Sequence, residues 1–321
     1  MRKIAVLTSG GDAPGMNAAI RGVVRCASSR GMEVYGIERG YDGLIKGSIF
    51  RMDSRSVSDT IQKGGTILKT ARCPEFETEE GIKKGGDVLR AYGIEGLVVI
   101  GGDGSFRGMR DLSKLCGIAC MGIPGTIDND LGYTDFTLGF DTAVNTVLDA
   151  LNKIRDTMTS HDRACIIEVM GRHCGDIALY SGMAGGAESI IVPELPFDID
   201  DICAKMRRNA IKGKVSDIIV LAEGVCSAEQ LKAQIHDRMG VTIRTVKLGY
   251  IQRGGTPSMA DRVLAARCAD RAVELLYNDS KSSRVIGIKN NVIVDVDLDE
   301  ALEIKKQFNE KMMEIASRLS F

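Results

Sequence analysis

Residues 94–100 read IEGLVVI, an apolar run without polar alternation, and it feeds directly into GGDGS. A strand that is apolar on both faces must be covered on both, and parallel sheets flanked by helices are where such strands occur. Lys3–Thr8 (KIAVLT) repeats the pattern and ends in Ser9-Gly10-Gly11. Ile118–Ile123 repeats it again and ends in Pro124-Gly125. A segment of helical period follows each run, so the chain reads as strands alternating with crossover helices.

The same alternation extends over most of the sequence. Met16–Ser29 reads as a helix closed near Gly31, and Glu33–Ile37 returns as a strand, completing a βαβ unit. Phe106–Leu115 and the longer Thr137–Met158 are helical patterns. Strands are expected at Ala164–Val169, Ser189–Val192, Asp217–Ala222 and Thr242–Leu248, with helices around Asp176–Ala184, Ile199–Ile211 and Ala228–Met239 between them. Pro257–Tyr277 is helical, Arg284–Val296 is a hairpin with Asn290-Asn291 at its turn, and Leu298–Leu319 reads as one amphipathic helix. The 321 residues suit about two domains, and no low-complexity linker divides them. The expected class is α/β, two lobes with parallel-type sheets and right-handed crossovers.

Composition narrows the function. The net charge of -1 and a pI of 6.4 leave no global basic field, which disfavours nucleic acid as partner. The start, MRKIAVLTSGG, enters a strand at once and resembles no signal peptide, and no apolar run approaches membrane-spanning length, so a cytoplasmic protein without membrane contact is expected. Nine cysteines without a C-x-x-C pair read as reduced thiols and not as a zinc site.

Three glycine-rich turns follow strands and open helices: TSGGDAPGMN (8–17), IGGDGS (100–105) and IPGTIDND (123–130). Ligands of open parallel sheets bind beyond the carboxyl ends of the strands, where glycine N–H groups and helix N-termini hold phosphate oxygens. None of the three matches G-x-x-x-x-G-K-[ST] or a clean G-x-G-x-x-G, which leaves the P-loop and dinucleotide fingerprints unsupported. A nucleotide phosphate with a divalent metal fits better. Asp103 offers the hard oxygen that Mg²⁺ needs; the bland alternative is that Asp103 merely caps the following helix. Of Arg72, Arg163, Arg172, Arg244 and Arg253, several flank strand ends, Arg172 and Arg253 directly beside glycine, and guanidinium is the preferred fork for phosphate, so a second phosphate site is expected. In GIPGTIDND, Asp128 has the chemistry of a base that orients a hydroxyl and takes its proton. Thr126 and the adjacent backbone can donate to a transferring phosphoryl group, and Glu223, closing DIIVLAE, can hold sugar hydroxyls.

SGGDAPGMNAAIRG, TARCPEF, VVIGGDGS, PGTIDNDL, EVMGR, CGD, AGGAE and GYIQRGG occur in this order over nearly the whole chain. Together they resemble the bacterial, ATP-dependent clade of the 6-phosphofructokinase family. PGTIDND and IQRGG are specific to that superfamily, whereas GGDG also occurs in NAD and lipid kinases. The resemblance implies two Rossmann-like lobes with the active site between them. Residues 1–138 and 252–304 would form a larger ATP-binding lobe, and 139–251 and 305–321 a smaller fructose-6-phosphate-binding lobe. It implies phosphorylation of fructose 6-phosphate at its 1-hydroxyl, the committed step of glycolysis. Gly11, Arg72, Cys73, Gly102, Asp103, Gly104 and Ser105 match ATP-binding positions, with Asp103 on Mg²⁺. Asp128 matches the base, flanked by Thr126 and Asp130, while Arg72 and Gly11 would stabilise the phosphoryl group in flight. Thr126, Ile127 and Asp128, with Met170, Gly171, Arg172, Glu223, Tyr250, Ile251, Gln252 and Arg253, match the sugar-phosphate site. Arg163 and Arg244 match arginines that reach the substrate of a neighbouring subunit, and a homotetramer, a dimer of dimers, is implied.

Donor and regulation follow from the same resemblance. Pyrophosphate-using relatives commonly carry Asp where this chain has Gly104 and Lys where it has Gly125, and two glycines leave room for ATP. Tyr250 stands where the family often has His; it donates one hydrogen bond but cannot become cationic. Arg21 and Arg25, four apart on one helix face, match effector positions together with Arg55, Asp59, Arg155, Gly186, Glu188, Lys212 and Lys214. A site for ADP or phosphoenolpyruvate between subunits is implied, although Ser54 stands where an effector arginine usually falls and Ser216 replaces a common His. The competing readings are a pyrophosphate-dependent enzyme, a non-catalytic sensor of nucleotide or sugar phosphate, and a dehydrogenase, which lacks its fingerprint.

Overall fold

A computed structural model describes residues 1–214 and 216–320. Along the chain run β1 (Lys3–Thr8), α1 (Met16–Ser29), β2 (Glu33–Ile37), α2 (Gly40–Lys46), β3 (Ile49–Met52), α3 (Glu79–Ala91), β4 (Gly96–Gly101), α4 (Asp103–Cys116) and β5 (Ala119–Pro124). There follow α5 (Phe140–Ser160), β6 (Cys165–Val169), α6 (Asp176–Ala184), β7 (Ser189–Ile191), α7 (Ile199–Ile211), β8 (Ile218–Ala222), α8 (Ala228–Met239) and β9 (Arg244–Lys247). The chain closes with α9 (Met259–Tyr277), β10 (Arg284–Lys289), β11 (Val292–Asp297), α10 (Leu298–Glu303) and α11 (Glu310–Leu319). It forms two compact units. Unit 1 comprises Met1–Ile127, Leu131–Thr142 and Arg253–Lys306; unit 2 comprises Asp128–Asp130, Ala143–Gln252 and Gln307–Phe321.

Unit 1 is built on a seven-stranded sheet in the order β11-β10-β5-β4-β1-β2-β3. Its two edge strands, β3 and β11, are antiparallel to their neighbours, and the five between them are parallel. The apolar runs β1, β4 and β5 lie side by side at its centre. The registers Thr8↔Ile100 and Gly101↔Pro124 bring their carboxyl ends level, so the three glycine-rich turns emerge next to one another. Below one face, Leu7, Leu97 and Val99 pack with Phe106, Met109 and Leu112 of α4 and Leu89 of α3. Elsewhere in the unit α1 lies on α9 so closely that a Cβ on Gly22 would sit 2.6 Å from the Cβ of Ala269.

Unit 2 carries a four-stranded, all-parallel sheet, β7-β8-β6-β9. β6 (CIIEV) and β8 (IIVLA) are buried at every position, as two-sided cover requires. Helices α7 and α8 supply Ile202, Cys203, Leu231 and Ile235 against Ile166, Ile219 and Leu221, while α6 packs on β7 and β8 and against α11. Among the described residues, no helix is long and apolar enough to cross a membrane.

The structure departs from the sequence expectation in identifiable places. The final segment is not one helix. Ile304 is extended, and main-chain atoms of Ile304 and Lys305 lie 2.4–2.6 Å from where a Cβ on Gly132 would stand, so this stretch is pressed against a residue that has no side chain. Separate caps, Asp297 and Asn309, start the helices on either side. α4 begins at Asp103 and not at Phe106, because Asp103-Gly104-Ser105 already forms its first turn. The expected set lacked α2, β3 and α3. Three glycines in α3, each disfavoured by roughly 1 kcal/mol against alanine, hide it from propensity.

Candidate active site

In unit 1 the three turns interlock. Ser9 N–H donates to Ile100 O at 3.0 Å, and Gly125 N–H to Gly101 O at 2.9 Å, so each turn leaves its strand tied to the neighbouring one. Gly101 permits the closest approach: a Cβ there would stand 2.5 Å from Ser105 Oγ and 2.7 Å from Ser9 O. Ser105 is thus buried at the base of the turns, and its carbonyl accepts from the Tyr41 hydroxyl at 2.6 Å. Thr126 is anchored through its carbonyl, which accepts from Thr137 Oγ1 at 2.6 Å. Ile127 is fully buried. Arg72 is exposed, and Cys73, capping the 3₁₀ turn Pro74–Glu77, has its thiol pushed up by partial burial, away from the thiolate form.

Gly11 and Arg253 form one feature. Arg253 Nη1 donates to Asp12 O at 3.4 Å, and a Cβ on Gly11 would lie 2.1 Å from that nitrogen. Gly11 is therefore the floor on which the guanidinium rests. Sequence reading grouped Arg253 with Tyr250, Ile251 and Gln252; the structure assigns Arg253 to unit 1 and the other three to unit 2.

Asp103 is not the cap of α4. Gly102 occupies that position, and the Asp103 carboxylate instead pairs with Arg107 one turn on, at 2.8 Å to Nε and 3.2 Å to Nη2. Gly104, next in the turn, faces open space, whereas a Cβ on Gly125 would meet Ile100 at 3.0 Å and Met16 at 3.1 Å. Of the two glycines read as leaving room for a nucleotide, Gly104 fits that reading, and close packing accounts for Gly125.

In unit 2 the carboxyl ends of β6, β8 and β9 carry Met170–Arg172, Glu223 and Tyr250–Gln252. Gly171 and Arg172 have φ of 134° and 54°, a reversal held by its own N–H groups. Met170 N–H donates to Gln252 Oε1 at 3.1 Å, Arg172 N–H to Glu223 Oε1 at 3.1 Å, and Cys174 N–H to Gly171 O at 2.9 Å. The turn aims Arg172 at the tripeptide Asp128–Asp130: Nε stands 3.2 Å from Asp128 Oδ2, with the Arg172 side chain 62% exposed and that of Asp128 only 3%. Gln252, fully buried, spends both ends of its amide inside the fold, donating to Gly249 O at 3.1 Å as well. Tyr250, by contrast, is 83% exposed.

The remaining expected residues lie elsewhere. Arg163 and Arg244 sit side by side where β6 and β9 begin, Arg244 N–H donating to Ala164 O at 3.0 Å. That is the opposite end of the sheet from Arg172 and Glu223, roughly 16 Å away across a five-residue strand. Of the effector positions, Arg155, Gly186, Glu188 and Lys214 meet in unit 2. Arg155 Nη2 donates to Gly186 O at 2.7 Å, and Glu188 takes Arg155 at 3.5 Å, Lys214, and Ile218 N–H at 2.6 Å. Lys212 is exposed at the end of α7, and Arg21, Arg25, Arg55 and Asp59 belong to unit 1.

Three residues were not singled out by sequence reasoning. Asp261, buried, accepts from Gly139 N–H at 2.8 Å, Thr142 N–H at 2.9 Å and Thr142 Oγ1 at 2.5 Å; burial raises its pKa against these bonds. Its signal was the cap pattern Ser258-x-x-Asp261. Asn129 and Asp176 are joined at 2.8 Å; they lie in PGTIDNDL and CGD, and neither stretch by itself announces the contact.

The sequence profile described as Phosphofructokinase matches residues 3–276. Over their full lengths, the chain is 63% identical to an ATP-dependent 6-phosphofructokinase of Clostridium tetani and 60% identical to one of Clostridium botulinum. A phosphofructokinase structure from Saccharomyces cerevisiae superposes with a TM-score of 0.88 at 33% identity, over 99% of this chain and 47% of that one. A pyrophosphate-dependent phosphofructokinase from Marinobacter aquaeolei, at 23% identity and a TM-score of 0.84 over 97% of this chain and 86% of its own, shares the fold. With its glycine-rich turns level at one sheet edge and Arg172 set against Asp128, the chain belongs to the phosphofructokinase family.

Proposed function

We propose that the chain transfers the γ-phosphoryl group of ATP to the 1-hydroxyl of fructose 6-phosphate, giving ADP and fructose 1,6-bisphosphate, in the cytoplasm. The observation that carries this reading is the buried Asp128 carboxylate beside the exposed Arg172 guanidinium. The carboxylate accepts the proton of the sugar hydroxyl as that oxygen attacks, while the guanidinium attracts phosphate oxygens. Arg72 and the Gly11 backbone meet the transferring group, and Thr126 donates to it. Asp130 flanks the base.

Nucleotide binding is assigned to Gly11, Arg72, Cys73 and Gly102–Ser105, and sugar-phosphate binding to Thr126, Ile127, Asp128, Met170–Arg172, Glu223 and Tyr250–Arg253. Open space at Gly104 supports a full nucleotide as donor. Among the described residues no group of three or more His, Cys, Asp or Glu side chains forms a metal cage. One hard carboxylate, Asp103, fits a cation that arrives on nucleotide phosphates, and Mg²⁺ held there would neutralise phosphoryl charge. Arg107 pairs with that carboxylate.

Arg163 and Arg244 are assigned to the substrate of a neighbouring subunit in a homotetramer; their place at the far end of the sheet supports this. Glu188 with its cationic neighbours supports an effector site for ADP or phosphoenolpyruvate. That part fails if phosphoenolpyruvate changes neither the half-saturating fructose 6-phosphate concentration nor its sigmoidicity. The catalytic reading is tested by initial rates on fructose 6-phosphate with Mg·ATP and Mg·pyrophosphate in parallel. Turnover with ATP alone supports it. Turnover with pyrophosphate contradicts the donor, and nucleotide binding without turnover favours a sensor.

A further inference from the structure

We propose that Asp176 is a positioning residue for the phosphoryl transfer, acting through Asn129 to set the orientation of Asp128; the inference rests on the reading of Asp128 as the base. Asn129 is fully buried and left-handed, with φ 52°. Asparagine tolerates this conformation better than most residues, yet it needs a reason to stay there. The structure supplies two holds. Asn129 Nδ2 donates to Asp176 Oδ2 at 2.8 Å, and Asn129 O accepts from Cys174 Sγ at 3.7 Å. All three side chains are buried. The peptide planes on either side of Asn129 belong to Asp128 and Asp130, so the side-chain anchor and the carbonyl anchor together determine how both carboxylates are presented.

The anchor is itself rigid. Asp176 is the first residue of α6, where the helix N-terminus favours its negative charge. Gly175 N–H, just before it, donates to Glu194 Oε1 at 2.8 Å, and there is no room for a side chain at Gly175, where a Cβ would meet Val192 at 2.5 Å. Upstream, the same loop is tied at Met170, Arg172 and Cys174. One loop therefore grips residues 128–130 twice over, by Arg172 on the Asp128 carboxylate and by Asp176 and Cys174 on Asn129. Misplacing a reacting group by 1 Å costs about 10²-fold in rate, so the second grip governs turnover more than binding.

The test compares Asp176→Ala, Asp176→Asn, Asn129→Ala and the double variant Asp176→Ala/Asn129→Ala, with wild type and Asp128→Ala as references. Asp176→Ala and Asn129→Ala should each lower kcat roughly 10- to 100-fold with little change in either KM. The double variant should fall no further than Asn129→Ala alone, because that change already removes the contact Asp176 makes with Asn129. Asp176→Asn keeps an oxygen that accepts from Asn129 and should retain most of kcat; it also stands in if Asp176→Ala does not fold. A purely structural role would lower the thermal midpoint and leave kcat of the folded fraction intact, which would overturn the proposal. So would losses that multiply in the double variant, or Asp176→Asn as impaired as Asp176→Ala. If Asp128→Ala itself keeps turnover, the base assignment fails instead, a different outcome from full activity in Asp176→Ala beside a dead Asp128→Ala.

Discussion

Arg172 Nε lies 3.2 Å from Asp128 Oδ2, and the two side chains differ sharply in exposure: the guanidinium is largely in solvent and the carboxylate is almost wholly buried. A buried carboxylate facing an accessible cation is poised for an anionic substrate, since the cation can share its donors without leaving the carboxylate. The left-handed backbone at Arg172, following Gly171, is what turns the side chain toward residue 128.

Replacing Arg172 by alanine should lower kcat/KM for fructose 6-phosphate by roughly 10²–10³-fold, the usual cost of removing an electrostatic donor in an active site. Lysine should rescue little, because an ammonium cannot reproduce the planar fork. The KM for ATP should stay near the wild-type value. Steady-state kinetics with each substrate varied in turn check this, and equal losses toward both substrates would count against it.

Gly11→Ala should damage catalysis without unfolding the protein. The new Cβ would lie 2.1 Å from Arg253 Nη1, the far end of a flexible side chain that can swing away. The expected result is an unchanged thermal midpoint with a loss of activity of tenfold or more, about 1.4 kcal/mol. In an Arg253→Ala background the same substitution should cost much less, since the clash is gone. Equal losses in both backgrounds would mean that Gly11 acts independently of Arg253.

Asp295 should make stability depend on acid. Burial alone would raise its pKa, but hydrogen bonds from Arg271 and Arg284 outweigh burial and hold it below the ordinary 3.8. A carboxylate with a lowered folded pKa contributes its stability above the unfolded value and loses it as pH falls through the folded one. The side chain joins α9 to the β10–β11 hairpin, at 2.8 Å to Arg271 Nε and 2.5 Å to Arg284 Nε. Asp295→Asn should therefore lower the thermal midpoint at pH 7, by the equivalent of about 1–2 kcal/mol after solvent screening of the half-exposed arginines. The gap between variant and wild type should close as pH drops below 3.8. A gap that persists unchanged to pH 3 would contradict the account.

What was legible in the sequence was the buried parallel core and the turns at its edge, because uninterrupted apolar runs and glycine-rich exits leave strong local signals. The strand KIAVLT and the hairpin at Asn290-Asn291 fall where their patterns placed them, and the run IEGLVVI holds a strand that begins two residues later, at Gly96, and ends at Gly101. Asp128 was visible because its motif is contiguous. The contacts that support it were not: Arg172, itself expected as a site residue, and Cys174 and Asp176 follow it by more than forty residues, and only folding brings them to it. The Gly11–Arg253 contact spans most of the chain, so neither residue announces the other. The break at Ile304 was missed for a related reason, since apolar periodicity continues across it and the cause, Gly132, lies far away in sequence.

The central claim is that Asp128 is the base of a phosphoryl transfer from ATP to a sugar phosphate. The most direct test is kcat of Asp128→Ala at saturating Mg·ATP and fructose 6-phosphate, measured alongside equilibrium binding of fructose 6-phosphate to the same variant. The account predicts that kcat falls by roughly 10²–10⁴-fold while the sugar phosphate still binds. Near-normal kcat in the variant would contradict it.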